Sequence, residues 1–222
     1  MAGGKVLVVG GTGMIGGLAS QMLARRGSSV ALAGRDGHLL AERSRLLGHC
    51  PYRSFDAYDL EGCASLAPWA AEALEGLNAV VVAIGVAGFG RAEEVDEAAA
   101  EHLMTVNALA PMAVVRGALP VLEPASVVAV VTGVIVDKPM RGMADYTAAK
   151  AALAAWLGVV EREQRSRGIR IVDVRMPHLG GGFVDRAVIG SAPKMPTGAD
   201  PTQAVEQHLI ASIMASAVQA QG

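Results

Sequence analysis

Short apolar runs alternate along this 222-residue chain with longer alanine-rich stretches whose apolar residues recur at helical spacing. The runs Lys5–Gly10, Ser29–Ala33, Tyr52–Asp56, Ala79–Ile84, Ser126–Thr132 and Arg170–Arg175 predict strands. They hardly alternate between apolar and polar, as expected of strands covered on both faces of a parallel sheet. Helices are predicted over about Ile15–Arg26, Gly37–Leu47, Glu61–Ala73, Glu97–Leu119 and Tyr146–Arg167, with a last one over about Pro201–Val218. Strand–helix alternation of this kind predicts an α/β fold of repeated βα units. One region breaks the rhythm. His178 to Asp200 is rich in glycine and proline and weakly periodic, which predicts a lid-like binding loop or a plain surface loop.

Composition narrows the picture. Hydrophobic content of 52% with 18% charge fits one globular domain, 1–222, with buried strands. A net charge of −2 offers no electrostatic case for nucleic acid or an anionic membrane surface. Cys50 and Cys63 lack metal-type spacing and partner histidines, so no metal is expected and the thiols read as reduced. The chain runs straight from Met-Ala-Gly-Gly into a strand, without a signal-peptide pattern. No uncharged apolar run reaches membrane-spanning length, the longest, near Leu77 to Gly90, being broken by glycines. A cytoplasmic protein without membrane contact is expected.

The first candidate chemistry follows the first strand. Gly10-Gly11-Thr12-Gly13-Met14-Ile15-Gly16-Gly17 opens a helix, and glycines at 10, 13 and 16 fit a G-x-x-G-x-x-G variant of the dinucleotide fingerprint. The glycines allow a tight turn and close approach of backbone to pyrophosphate, and the helix start offers free N–H groups to the phosphates. The second strand ends at Gly34-Arg35-Asp36, where an NAD-selecting acid would sit at the tip. Arg35 could instead pair with a 2′-phosphate and stack on adenine, which favours NADP(H) over NAD(H). Asp36 leaves that choice open, and both residues also fit a solvated helix start. Asp56 could accept from an adenine amino group, or serve as an N-cap or loop residue. Ala83, Ile84 and Gly85 end the fourth strand, where glycine lets the backbone pass close to a ribose or simply makes a turn.

The second lies in Asp145-Tyr-Thr-Ala-Ala-Lys. Tyr146 and Lys150 stand one helical turn apart on one face. An ammonium near a phenol favours the phenolate, so the pair predicts a Tyr146 pKa pulled down from about 10 and a usable general acid/base.

Gly-rich turn, Arg35, Asp56, Gly85, Asn107 in Thr-Val-Asn-Ala, the strand 126–132, Tyr146/Lys150 and Pro177 occur in one order. That order and spacing resemble the short-chain dehydrogenase/reductase family over nearly the whole chain. The resemblance implies a Rossmann-type doubly wound parallel sheet and a nicotinamide cofactor. It implies that Tyr146 donates the proton, that Lys150 binds the nicotinamide ribose and lowers the Tyr146 pKa, and that Asn107 supports a water-linked proton relay. It extends the cofactor-binding set to Gly10, Thr12, Gly13, Met14, Ile15, Gly16, Arg35, Asp56, Ala83, Ile84, Gly85, Tyr146, Lys150 and Pro177. It also implies a homodimer or homotetramer through helices 97–119 and 146–167.

Departures from the family are specific. Its catalytic serine lies thirteen residues before the tyrosine, where this chain has Gly133. Thr132, one residue off, is the nearest hydroxyl, and a strand-end twist would have to bring it into the slot. The usual Asn-Asn-Ala-Gly reads Val82-Ala83-Ile84-Gly85, and the usual Pro-Gly reads Pro177-His178. His178 could act as acid/base near the nicotinamide or merely pack in its loop. The family's closing seventh strand is absent, which predicts six. Val134, Met140, Met143, Met176, Leu179 and Phe183 are expected around an uncharged substrate, the methionines alternatively filling the core. The leading expectation is NADPH-dependent reduction of a small, mostly apolar ketone or aldehyde. The alternatives are a non-redox isomerase, dehydratase or cyclase, and a catalytically weak NADP(H)-binding sensor.

Overall fold

A computed structural model describes residues 3–180, 182–194 and 197–219. Strands β1 (Lys5–Val9), β2 (Ser29–Gly34), β3 (Tyr52–Ser54), β4 (Ala79–Val82), β5 (Val127–Val131) and β6 (Arg170–Val174) alternate with helices. These are α1 (Met14–Arg25), α2 (Gly37–Leu46), α3 (Leu60–Ala73), α4 (Glu97–Met104), α5 (Ala110–Ala118), α6 (Ala144–Gln164), α7 (Pro201–Ala204) and α8 (Ala211–Gln219). All strand pairs are parallel, in the order β3-β2-β1-β4-β5-β6, which gives the expected doubly wound sheet of six strands. The predicted strands are all present, but β3 stops at Ser54 rather than Asp56. Tyr52, Arg53 and Ser54 are all exposed, so no buried face prolongs this edge strand.

Alternate strand residues feed two cores. Leu7, Val9, Val80, Val128 and Val130 pack against α3, α5 and α6, while Val6, Val8, Ala129 and Val131 pack against α1 and the C-terminal helices. On α6 the inward stripe is Tyr146, Ala149, Lys150, Leu153, Leu157 and Val160. Full burial of Leu153 and Leu157 stabilises this docking by about 1.5–3 kcal/mol each, which offsets the cost of carrying Lys150 inside.

The helix predicted over Glu97–Leu119 is not uniformly α-helical. A π turn, Thr105–Leu109, joins α4 to α5, with Ala110 N donating to Thr105 O. Pro111 supplies a cause: it has no N–H and its ring clashes with the carbonyl four residues back, that of Asn107. The joined helix Glu97–Ala118 is long and apolar enough to cross a membrane by length and composition, but half of its most apolar window is buried in the protein. Val106, Ala108, Ala113 and Val114 lie in the core under it.

Candidate active site

The chain order reverses between β1 and β4, and a cleft opens there at the carboxyl ends of the strands, where doubly wound sheets take their ligands. It encloses about 130 Å³ and is lined by Gly10, Thr12, Gly13, Gly34, Arg35, Phe55, Ala57, Ala83, Ile84, Gly85, Val86 and Val106. The fingerprint turn makes its floor. Gly10 has φ +94°, and a Cβ there would meet Ala83 O at 2.5 Å; a Cβ on Gly16 would lie 2.2 Å from Gly10 O. Neither position admits a side chain. Gly13 caps α1 without a side-chain hydrogen bond, so the N–H groups of Met14 and Ile15 face the turn uncapped by any described side chain. Free N–H groups at a helix N-terminus are the kind of site that takes anions.

At the β2 tip, Asp36 is the N-cap of α2, its carboxylate accepting from His38 N and Leu39 N. Arg35, by contrast, is exposed and lines the cleft. A side chain at Gly34 would crowd Thr12 Oγ1 at 3.1 Å, which leaves little room for an acid at the tip. Asp56 is exposed and accepts from Tyr58 N at 3.0 Å in its own loop, while its neighbours Phe55 and Ala57 line the cleft. The loop role is the one it fills here.

Beyond Gly85 the cleft meets the polar groups of the helices. A Cβ on Gly85 would stand 2.8 Å from Asn107 Oδ1 and 3.2 Å from Lys150 Nζ, so both converge on this glycine. Asn107 is fully buried in the π turn; Nδ2 donates to Leu103 O and Val86 O, and Oδ1 accepts from Val86 N. The Leu103 carbonyl thereby receives from the side chain the bond that a continuous helix would supply from the Asn107 N–H. Lys150, 3% exposed, donates to Val131 O at 3.2 Å. Burial lowers its pKa from 10.5 to about 8, against an upward pull from Asp173.

Tyr146 departs from the sequence expectation. Burial pushes its hydroxyl up to about 12 rather than down, because no charge offsets desolvation in this state. The ring lies in an apolar cluster with Ala87, Phe89, Leu103, Ile135 and Met143, and Phe183 tilts over it at 6.5 Å between ring centres. Phe183 belongs to the Gly/Pro-rich segment, which sits down on the loop after β4: Val188 N donates to Ala87 O, and Phe89 N to Ile189 O. Gly181, Met195 and Pro196 of this segment lie outside the described residues.

Thirteen residues before Tyr146, Gly133 has φ +113°. No hydroxyl fills that slot. Thr132, the candidate substitute, is buried and donates its proton to Asp173 Oδ1, so the hydroxyl is held by β6 instead. Of the residues expected around a substrate, Met140 and Met143 pack with Tyr146, and Val134 is 36% exposed. Met176 and Leu179 pack on the other face of the sheet, with Val131 and Val174. Pro177 and His178 follow β6, and His178 contributes its carbonyl to Ala199 N. The sequence reading overlooked Asp173 and Arg175. Their signal was present: charges at 170, 173 and 175 interrupt an otherwise apolar parallel strand.

Comparison with known proteins agrees with this architecture. The family model described as short chain dehydrogenase matches residues 4–181. No curated protein matches. Among solved structures, an alcohol dehydrogenase from the archaeon Thermococcus sibiricus, complexed with 5-hydroxy-NADP, superposes with TM-score 0.81 at 21% identity, over 90% of this chain and 86% of that one. A dehydrogenase/reductase from Sinorhizobium meliloti 1021 gives 0.83 at 22% identity, over 99% and 90%. BdcA in complex with NADPH gives 0.82 at 21% identity, over 97% and 90%. At these identities the superpositions establish the fold. With the family match spanning most of the residues, this chain belongs to the short chain dehydrogenase family of oxidoreductases.

Proposed function

We propose that this protein reduces a small, mostly apolar ketone or aldehyde with NADPH. The observation that carries this reading is the convergence of Lys150 Nζ and Asn107 Oδ1 on Gly85, which lines the same cleft as Gly10 and Gly13 of the fingerprint turn. The residues present fit a dinucleotide: an uncapped helix start for the pyrophosphate, a cradle at Gly10 and Gly16 that a Cβ would fill, and Arg35 for a 2′-phosphate. The 5-hydroxy-NADP and NADPH carried by the Thermococcus sibiricus enzyme and by BdcA support the same choice. When bound, the cofactor supplies the hydride.

The chain's own groups supply position and a proton. Tyr146, neutral with its pKa near 12, donates its hydroxyl proton to the carbonyl oxygen as that oxygen gains charge. Lys150 holds the ribose hydroxyls and, as an ammonium beside the phenol once water and substrate enter, draws the Tyr146 pKa back down. Asn107 fixes the backbone at Val86 and keeps one Oδ1 lone pair for a relay water. Met140, Met143, Val134 and Phe183 form the apolar wall on the substrate side, with His178 beyond β6. Thr132 orders Asp173 rather than the substrate. The protein acts in the cytoplasm as a homodimer or homotetramer, for which α6 offers the exposed stripe Ala148, Ala152, Ala155 and Val159.

The empty Gly133 slot and the Phe183 cover favour a second reading, a slow enzyme or an NADP(H)-binding sensor. Absorbance of NADPH against a panel of ketones and aldehydes, with Tyr146→Phe alongside, separates the two. If no carbonyl consumes NADPH faster than the Phe variant allows, reduction is refuted and the sensor reading stands. Thermal-shift titration with NADPH and NADH tests Arg35; larger stabilisation by NADH overturns the preference.

A further inference from the structure

Charged groups collect between the ends of β5 and β6, beneath the start of α6. Asp173 stands opposite Val130 in the ladder and faces the α6 side of the sheet, as Val130 does. Its Oδ1 accepts from Thr132, and its Oδ2 lies 3.0 Å from Arg175 Nη2. Arg175 Nε is 3.6 Å from Asp137, while its buried Nη1 has no hydrogen-bond partner. Lys150 Nζ ends at Val131 O, the residue before Thr132 and the ladder partner of Val174, the residue after Asp173. The buried amine and the carboxylate are thus tied to adjacent positions of the same two strands.

We propose that Asp173 is a positioning residue for the Tyr146–Lys150 pair, its carboxylate acting as the counter-charge that keeps the buried Lys150 amine protonated, with Arg175 limiting how much of that charge Lys150 feels. The inference rests on the reading that Lys150 works as a cation toward the ribose and the phenol. Its electrostatics agree with the geometry: burial drives Lys150 down to about 8, and Asp173 is the group pulling it up. The titratable and charged groups around this position are Asp173 from β6, Arg175 just after it, Asp137 from the turn after β5 and Tyr146 one turn away on α6, with the neutral Asn107 converging beside the amine on Gly85. A structural role alone would explain the Thr132 bond, but not a carboxylate set against the one lysine on α6.

The chain has four lysines, Lys5, Lys138, Lys150 and Lys194, so the side-chain carbon next to each amine can be followed by NMR through a pH titration, with Lys150→Met assigning the signal. In Asp173→Asn the Lys150 midpoint should fall by about one unit or more. In Arg175→Gln it should rise, because a cation beside Asp173 is gone. Opposite shifts in the two variants establish the inference. A folded Asp173→Asn whose Lys150 midpoint does not move overturns it; should that variant not fold, an unmoved midpoint in Arg175→Gln overturns it instead. Because this readout needs neither cofactor nor turnover, it stays distinct from the reductase reading, which fails if Tyr146→Phe consumes NADPH as fast as the native protein.

Discussion

Substituting Gly133 by Ala and by Ser separates backbone strain from missing chemistry. The residue holds φ +113° and ψ 158°, and its neighbours pin it there: Val134 N donates to Met176 O at 3.0 Å, and Val136 N to Gly133 O at 3.3 Å. Space is not the obstacle. A Cβ would meet Met176 O at 3.5 Å and Ile135 Cγ2 at 4.0 Å, both ordinary contacts. The penalty is therefore conformational, about 1–3 kcal/mol for a non-glycine residue in such a region, and it should be the same for Ala and Ser. For a chain of this length that corresponds to a melting temperature lowered by roughly 2–12 °C. The two variants then differ by one hydroxyl at the position where the family resemblance puts a serine. If that hydroxyl reaches the carbonyl oxygen, Gly133→Ser should outpace Gly133→Ala by up to about 10²–10³ in NADPH consumption. Thermal melts and initial rates on the best ketone check both halves. An Ala variant melting within about 1 °C of the native protein refutes the strain reasoning. A Ser variant no faster than Ala refutes the vacant-slot reasoning.

Lys150→Met should melt higher than the native protein at pH 7 while losing NADPH consumption. The folded pKa of Lys150, about 8, lies below its ordinary 10.5, so the unfolded chain binds more protons between those values. Its penalty, at most about 3 kcal/mol, is full below pH 8 and fades as the pH rises to 10.5, and the variant's advantage should shrink across that window; a lower melt at pH 7 sinks the reasoning. Tyr146→Phe should cut reduction by about 10²–10⁴ and leave the melt nearly unchanged, since the hydroxyl has no hydrogen bond among the described residues; a large drop in melting temperature would assign Tyr146 a structural role instead. Gly16→Ala, whose Cβ would sit 2.2 Å from Gly10 O, should weaken NADPH binding at least about tenfold by calorimetry, and unchanged affinity would show that the turn is not the phosphate cradle. Arg35→Ala should raise the Kd for NADPH and leave that for NADH nearly unchanged; equal losses would deny it the 2′-phosphate.

The strands and the fingerprint turn were legible because local signals agree there: apolar runs, glycines and a helix start fall in register within a few residues, while the doubly wound arrangement came from the family resemblance. Asp36 was ambiguous because capping depends on where α2 begins, and helix boundaries are blurred in sequence. The π turn escaped because one extra residue barely disturbs apolar periodicity, although Pro111 four residues after Asn107 marks it. Least legible were the groups that set charge. Thr132 meets Asp173 across 41 positions of sequence, and Tyr146 lies under Phe183 from a segment without periodicity. Helical spacing placed Lys150 beside Tyr146, but the pKa of each follows from burial by distant segments.

The π turn at Thr105–Leu109 has a genetic side. It holds one residue more than an α-helix needs, so loss of a single codon between 105 and 109 would take out that extra residue without a frameshift. Every residue beyond the deletion would then turn by about 100° against the preceding face. Asn107 would lose its place opposite Val86, leaving the Val86 N–H and carbonyl without the amide that now satisfies both. A substitution at Asn107 removes one side chain, whereas that deletion removes the socket that holds it. The polar end of the cleft is therefore exposed to a class of mutation that no residue-by-residue substitution scan samples.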